Sequence, residues 1–292
     1  MIYEVRYLTS YTYAKPVPFA RCALRVTLAT DAGQTVTDTS LTIDPFPTQL
    51  THRTGVFGEA VATALIETPH KEMAVLARAR VEVHRPAPAQ PLAGLPWEQV
   101  RGQAFASTAL DTHAPAHMLY PTAQTPIAAP ITAYAAASFP PARPILAAAF
   151  DLARRIRSEF RYDPEATDVS TPALEAFEQR HGVCQDFAHI MIAGLRGLGL
   201  PAAYVSGFIR TIPSPGKPRL QGADATHAWV GLWCGAAQGW VGFDPTNALV
   251  VANDHIVLAT GRDYADVAPI GGVVLGPGKQ KIHVGVDVIP QG

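Results

Sequence analysis

The feature that most restricts this chain is an alternation: Ala77, Ala79, Val81 and Val83 are apolar, while Arg78, Arg80, Glu82 and His84 between them are polar or charged. Side chains alternate across a strand but recur every 3.6 residues round a helix, so such a run buries a single face only as a β-strand. The same period appears in Tyr3, Val5 and Tyr7 around Glu4 and Arg6, and in Leu24, Val26 and Leu28 around Arg25 and Thr27. Asp31-Ala32-Gly33 and Asp44-Pro45-Phe46-Pro47 supply turn chemistry between the runs. One wet face and one dry face predict an antiparallel, sandwich-like β domain over residues 1–90.

Arg85-Pro86-Ala87-Pro88-Ala89-Gln90-Pro91 alternates proline with other residues and has no apolar period. It favours an extended backbone and marks a domain boundary. Residues 91–144 read as an alanine- and proline-rich connecting region with short helices between turns. The period then changes. Ile145, Ala149, Leu152, Ile156 and Phe160 fall at intervals of three and four, which predicts a helix and opens a second domain over 145–292. Thr171-Pro172 predicts a further helix start, with Thr171 as cap, and that helix ends near His181-Gly182. From Cys184, the residues Phe187, Ile190, Met191, Gly194, Leu195 and Leu198 form one helical face, stopped by Gly199 and Pro201. Strands follow at 203–209, 226–233 and 239–243. Two more, from Gly272 to Ile289, are joined at Gly276-Pro277-Gly278-Lys279. The fold class is therefore α+β.

Composition removes several function classes. Hydrophobic residues make up 48% and charged residues 16%, and 23 basic residues against 24 acidic ones leave a formal charge of -1. That balance gives no electrostatic footprint for a nucleic acid or an anionic membrane. No apolar run approaches the roughly 20 residues of a membrane span, and Met1-Ile2-Tyr3-Glu4-Val5-Arg6 has no leader pattern, so a soluble, cytoplasmic protein is expected. The three cysteines, Cys22, Cys184 and Cys234, are too few and too odd for a disulfide framework. Cys22 and Cys234 lie in apolar stretches and read as buried small hydrophobes.

Cys184 is set differently. It stands at the start of a well-packed helix, where unpaired backbone N–H groups and the helix dipole favour a thiolate and can later hold an oxyanion. A buried structural cysteine explains the position equally well. A base must reach the sulfur, and His227, on the strand Thr226-His227-Ala228-Trp229-Val230, is the candidate. His189 is nearer in sequence but points about 140° away round the same helix. It reads as structural, in pairing range of Asp186 one turn earlier; His181, before the helix, is a weaker alternative. Asp244 ends the next strand, beside His227, and would fix the tautomer of the base. Taken alone, Asp244-Pro245-Thr246-Asn247 is only a turn. Together, cysteine on a helix, histidine on a strand and aspartate on the next strand make an order that folding alone does not require.

Gly182-Val183-Cys184-Gln185-Asp186-Phe187-Ala188-His189, Tyr204-Val205-Ser206-Gly207-Phe208, His227-Ala228-Trp229 and Gly239-Trp240-Val241-Gly242-Phe243-Asp244-Pro245-Thr246-Asn247 resemble the bacterial transglutaminase-like proteins, also described as cysteine proteases. Gly261-Arg262-Asp263-Tyr264-Ala265-Asp266-Val267 is similar too, and Tyr11-Thr12-Tyr13 with Pro16-Val17 resembles that family's β-rich N-terminal region. The resemblance covers nearly the whole chain. It implies a papain-like α+β catalytic core with Cys184, His227 and Asp244 as nucleophile, base and orienting acid. It also implies that Tyr162, upstream of the nucleophile, is a second oxyanion donor beside the Cys184 N–H; an ordinary tyrosine fits there as well. Gly231 stands where the family often has an acid, and Phe57-Gly58-Glu59 where a Gly-Asn pair is usual, which leaves substrate preference open.

The expected activity is hydrolysis of a peptide or amide through a thioester on Cys184, with no cofactor and no metal. The alternatives are transamidation of protein glutamine and a non-catalytic scaffold that keeps the fold. A zinc site from His181, Cys184, His189 and His227 lacks the paired spacing that anchors zinc, and no acidic loop suits calcium. Gly194-Leu195-Arg196-Gly197-Leu198-Gly199 ends a helix and is no nucleotide fingerprint. The loop Ile212-Pro213-Ser214-Pro215-Gly216-Lys217-Pro218 precedes His227 and is placed to overhang the site.

Overall fold

The computed structural model describes residues 1–85, 92–211, 224–276 and 278–291. The proline-alternating boundary at 86–91, the proposed overhanging loop and Pro277 of the closing turn lie outside the described residues. The chain begins with six strands, β1 (Ile2–Val17), β2 (Phe19–Leu24), β3 (Gln34–Asp44), β4 (Gln49–Thr54), β5 (Ala60–Ile66) and β6 (His70–Val83). On β6 the dry face is Met73, Val75, Ala77, Ala79, Val81 and Val83, as the alternation predicts. A bend at Pro18 carries the chain from β1 in one sheet to β2 in another.

The connecting region holds α1 (Trp97–Ala106), a 3-10 turn at Pro115–Met118 and α2 (Ala129–Ala136). Then come α3 (Ile145–Glu159), β7 (Arg161–Tyr162), α4 (Ala173–Gln179), β8 (His181–Gly182) and α5 (Cys184–Gly197). Helix α4 starts after Pro172, which keeps an extended backbone (ψ 148), and the Thr171 hydroxyl accepts from the Asp168 N–H (3.1 Å) instead of capping. The remaining elements are β9 (Ala202–Ile209), β10 (Ala225–Trp233), β11 (Trp240–Asp244), β12 (Leu249–Val250), β13 (His255–Gly261), α6 (Tyr264–Val267), β14 (Ile270–Leu275) and β15 (Gln280–Gln291).

Three sheets organise the molecule: β15-β1-β6-β3, β14-β2-β5-β4 and β12-β11-β10-β9-β13. The first two enclose a core of Tyr3, Val5, Leu24, Ile66, Met73 and Val81. The closing strands, grouped by sequence with residues 145–292, complete these two sheets instead, β15 along β1 and β14 along β2. Nor do they form a hairpin with each other. Alternation identifies a strand and its dry face, but it does not say which neighbour supplies the ladder.

The third sheet carries the helices. Phe187, Ile190, Met191 and Leu195 of α5 share one core with Ala228, Val230 and Leu232 of β10 and with α3. At its other end the sheet reaches the sandwich, because Phe208, Ile256 and Leu258 belong to the sandwich core, with Phe208 against Tyr7 at 5.1 Å. Burial on both sides explains why β9 is buried from Ala202 to Phe208 without alternation.

The glycines of α5 have a packing role. A Cβ on Gly194 would lie 2.7 Å from the Ala135 methyl of α2, so only glycine permits the approach. Arg196 is buried and donates to the carbonyls of Met118 (3.0 Å), Ala202 (2.8 Å) and Arg262 (2.7 Å) and to the Thr125 hydroxyl (2.8 Å). One guanidinium thereby ties the connecting region to β9 and to the segment before α6. Among the described residues, no helix is long and apolar enough to cross a membrane.

Candidate active site

Cys184 is the first residue of α5 and is half-buried, whereas Cys22 and Cys234 are buried, as expected. Gly182 enters the helix against Asp186: a Cβ there would sit 2.5 Å from the Asp186 carboxylate. That carboxylate accepts the Val183 N–H (2.7 Å) and the Thr167 hydroxyl (2.6 Å), which fixes the helix start. Burial raises the Asp186 pKa despite those donors. The first-turn N–H groups of α5 have no acceptor within the helix, so the thiol sits at a positive helix end.

His227 and Trp229 share a face of β10, and Asp244 at the end of β11 meets them. His227 Nε2 lies 2.8 Å from Asp244 Oδ2, and Cys184 is among the neighbours that raise its pKa. Asp244 is fully buried yet amply satisfied. Its Oδ1 accepts the backbone N–H groups of Thr246 (2.9 Å) and Asn247 (3.1 Å). Its Oδ2 also accepts Asn247 Nδ2 (2.7 Å) and His255 Nε2 (3.2 Å). The turn expected at Asp244-Pro245-Thr246-Asn247 is present, and its N–H groups hold the Asp244 carboxylate.

Burial alone would raise the Asp244 pKa, but the N–H donors of His227, His255 and Asn247 outweigh it and hold the group well below the usual carboxylate range. An ionised carboxylate only accepts, so both imidazoles donate from Nε2, and His227 Nδ1 is the nitrogen left for the sulfur. Burial alone would likewise lower His227. Asp244 and Cys184 outweigh that and lift it to about 10.

Gly207 of β9 lies opposite His227. A Cβ there would come within 2.5 Å of the Trp229 ring, so the glycine leaves room for the indole. Trp229 is buried, its ring 6.1 Å from that of His227 and 5.2 Å from that of His255. Tyr162 pairs with Gly182, directly before the helix, and is 51% exposed. Its hydroxyl is held above its ordinary pKa by burial and then by the charge of Cys184.

The other sequence candidates part company with this cluster. His189 does not pair with Asp186. Its Nε2 accepts the Tyr264 N–H (3.2 Å), while the Asp186 carboxylate is taken by Val183 and Thr167. Among the described residues, the one group of three His, Cys, Asp or Glu with ligand atoms within 4.8 Å of one another is His227, Asp244 and His255, so His181, Cys184 and His189 are not gathered with His227 as metal ligands. His255, missed from sequence, is a lone histidine opening an apolar strand, and no spacing ties it to Asp244. Asn247 was visible only as a turn former.

Comparison with known proteins gives a consistent kinship. The family model described as the transglutaminase-like superfamily matches residues 132–245. The bacterial transglutaminase-like N-terminal region matches residues 3–82. An uncharacterized protein of Mycobacterium tuberculosis is 36% identical over 300 residues, spanning 99% of this chain and 92% of the relative. One from Mycobacterium leprae is 31% identical over 292 residues, spanning 98% and 97%. Part of a protein-glutamine gamma-glutamyltransferase of Pseudomonas aeruginosa is 33% identical over 133 residues, 41% of this chain and 20% of that one. The crystal structure of a "putative cysteine protease" from Cytophaga hutchinsonii has the same fold, with a TM-score of 0.75 at 21% identity, covering 100% of this chain and 92% of that one.

Proposed function

The chain belongs to the transglutaminase-like superfamily and carries the bacterial transglutaminase-like N-terminal region, and from that premise we propose a cysteine-dependent amide or peptide hydrolase acting through Cys184, His227 and Asp244. The observation that carries the reading is an imidazole whose Nε2 lies 2.8 Å from a buried carboxylate and whose pKa is raised in part by a half-buried thiol at a helix start.

In this mechanism the Cys184 thiolate attacks the carbonyl carbon, and the carbonyl π electrons move onto oxygen. The Cys184 N–H and the Tyr162 hydroxyl receive that oxyanion. As the C–N bond breaks, the His227 imidazolium gives its Nδ1 proton to the departing nitrogen, leaving a thioester on Cys184 and a neutral imidazole. Water then loses a proton to His227 while its oxygen attacks the thioester. The acid leaves, and the thiolate–imidazolium pair is restored. Asp244 keeps Nε2–H pointed at itself throughout and stabilises each imidazolium.

Transamidation is the second reading, favoured by the local likeness to the Pseudomonas aeruginosa glutamyltransferase. It uses the same thioester, with a primary amine in place of water.

Intact mass after brief treatment with dilute iodoacetamide, from pH 5 to 9, tests the site. Rapid single modification persisting below pH 7 and lost in Cys184→Ala is expected, since an ordinary thiol near pKa 8.5 would be mostly protonated there. A peptide carboxamide incubated with a primary amine then separates the two readings by acid product or amine adduct. Full turnover by Cys184→Ala would end both, whereas a wild-type chain with an ordinary thiol and no turnover would leave the scaffold reading.

A further inference from the structure

Asp244 is bonded by one histidine more than an acyl-transfer relay needs. His227, Asp244 and His255 are buried with ligand atoms within 4.8 Å, in outline a two-histidine, one-carboxylate metal set. Yet Asp244 Oδ2 already accepts three N–H groups, from His227, His255 and Asn247. A cation would have to break all three bonds, so the geometry favours the hydrogen-bonded reading.

His255 has little other reason to be a histidine. It is 3% exposed, its ring stands edge-on to Trp229 at 5.2 Å and 77°, and its Nδ1 has no partner. A phenylalanine would fill the same space without burying an unpaired nitrogen, which carries a desolvation cost. What the imidazole adds is one N–H, and that N–H is aimed at Asp244 Oδ2.

The strand behind His255 is gripped by the β-sandwich. Arg85 donates Nη1 to the His255 carbonyl (2.8 Å) and its backbone N–H to the Asn253 side chain (2.9 Å). Its Nη2 is held by both oxygens of Asp31 at 3.0 Å. Gln34, fully buried, donates Nε2 to the Val257 carbonyl (2.8 Å) and accepts the Val257 N–H at Oε1 (2.9 Å).

We propose that His255 is a positioning residue for the acyl-transfer site, holding Asp244 in place for His227 and linking that carboxylate to the N-terminal sandwich through Arg85 and Gln34. The inference rests on the reading of Cys184, His227 and Asp244 given above. With Oδ2 fixed by donors from two strands, the carboxylate cannot turn away from His227, and the extra N–H favours its ionised form. The sandwich then sets the site's geometry without contacting substrate.

The test is the pH midpoint of Cys184 alkylation in His255→Phe, which keeps the ring and loses the donor. Outer partners of this kind are worth roughly 10- to 100-fold in metal sites, so about a ten-fold slower alkylation at pH 6 is expected, converging with wild type by pH 9. His255→Gln, which can present an N–H from its side chain, restores part of the rate. Arg85→Met moves the rate the same way, by about three-fold. A merely structural role would lower the melting temperature in His255→Phe and leave the midpoint where it was.

A folded His255→Phe with the wild-type midpoint overturns the inference while the acyl-transfer reading stands. A wild-type Cys184 that alkylates only as an ordinary thiol overturns both. Should His255→Phe fail to fold, nitrogen NMR on the wild-type chain decides: a proton on His255 Nε2 is expected, and a bare Nε2 overturns the proposal.

Discussion

His227 and His189 are both buried histidines, yet their environments drive them in opposite directions. His227 rises to about 10 and His189 falls to about 3. Burial disfavours the cation at both sites. At His189 nothing opposes it: the ring accepts the Tyr264 N–H, packs against Tyr204 at 5.0 Å, and feels the positive charge of Arg196. At His227 the ring donates to a carboxylate that four further hydrogen bonds hold ionised and in place. Depth therefore does not decide the direction at these two sites; the groups around each ring do.

The largest way to break that contrast is Asp244→Asn. Without the anion, Cys184 is left to oppose burial at His227, whose pKa should fall from about 10. Turnover should drop by about 10³- to 10⁴-fold, as when the acid of a nucleophile–histidine–acid triad becomes an amide. Histidine NMR titration and steady-state rates check the two halves, and an unchanged His227 titration would refute the account given above.

Stability against pH tests the other member of the pair. The folded pKa of His189 lies below its unfolded value, so its contribution is present above about pH 6.5 and is lost as pH falls toward 3. His189→Gln should flatten that acid limb by an amount on the order of 4 kcal/mol in urea unfolding, whatever its cost at neutral pH. The sign reverses for His227: its stabilisation is full below pH 6.5 and is lost as pH rises through about 10. A smaller effect belongs to Asn247→Ala, which removes one donor from Oδ2 and should slow turnover about ten-fold. Losing that donor should also raise the Asp244 pKa, so the stability that Asp244 contributes should be lost at a higher pH than in the wild type.

Much of this was legible in the residues alone. Alternation around Ala77–Val83 specified strands and their dry face, and the three- and four-residue spacing after Cys184 specified the helix, because those signals are local. The cysteine, histidine and aspartate were legible because their residue types and element order are unusual together. What escaped were pairings across long stretches of chain. Thr167 bonds Asp186, His255 bonds Asp244 across a turn and a strand change, and β15 lies beside β1. No residue in such a pair carries a mark of its partner, since the partner is chosen by tertiary packing. The His189–Asp186 pairing shows the reverse hazard: neighbours on a helix were each claimed by something more distant.

That last pairing of strands bears on how the protein is made. Tyr3 is matched with Pro290, and Phe19 with Leu275. On a ribosome the first strands emerge long before their final neighbours, so both sheets present unsatisfied edges while the middle of the chain is being synthesised. The helical core that carries Cys184 can assemble in that interval. The sandwich can close only when residues 270–291 are delivered, which leaves this domain, synthesised ahead of the helical core, to be finished after it.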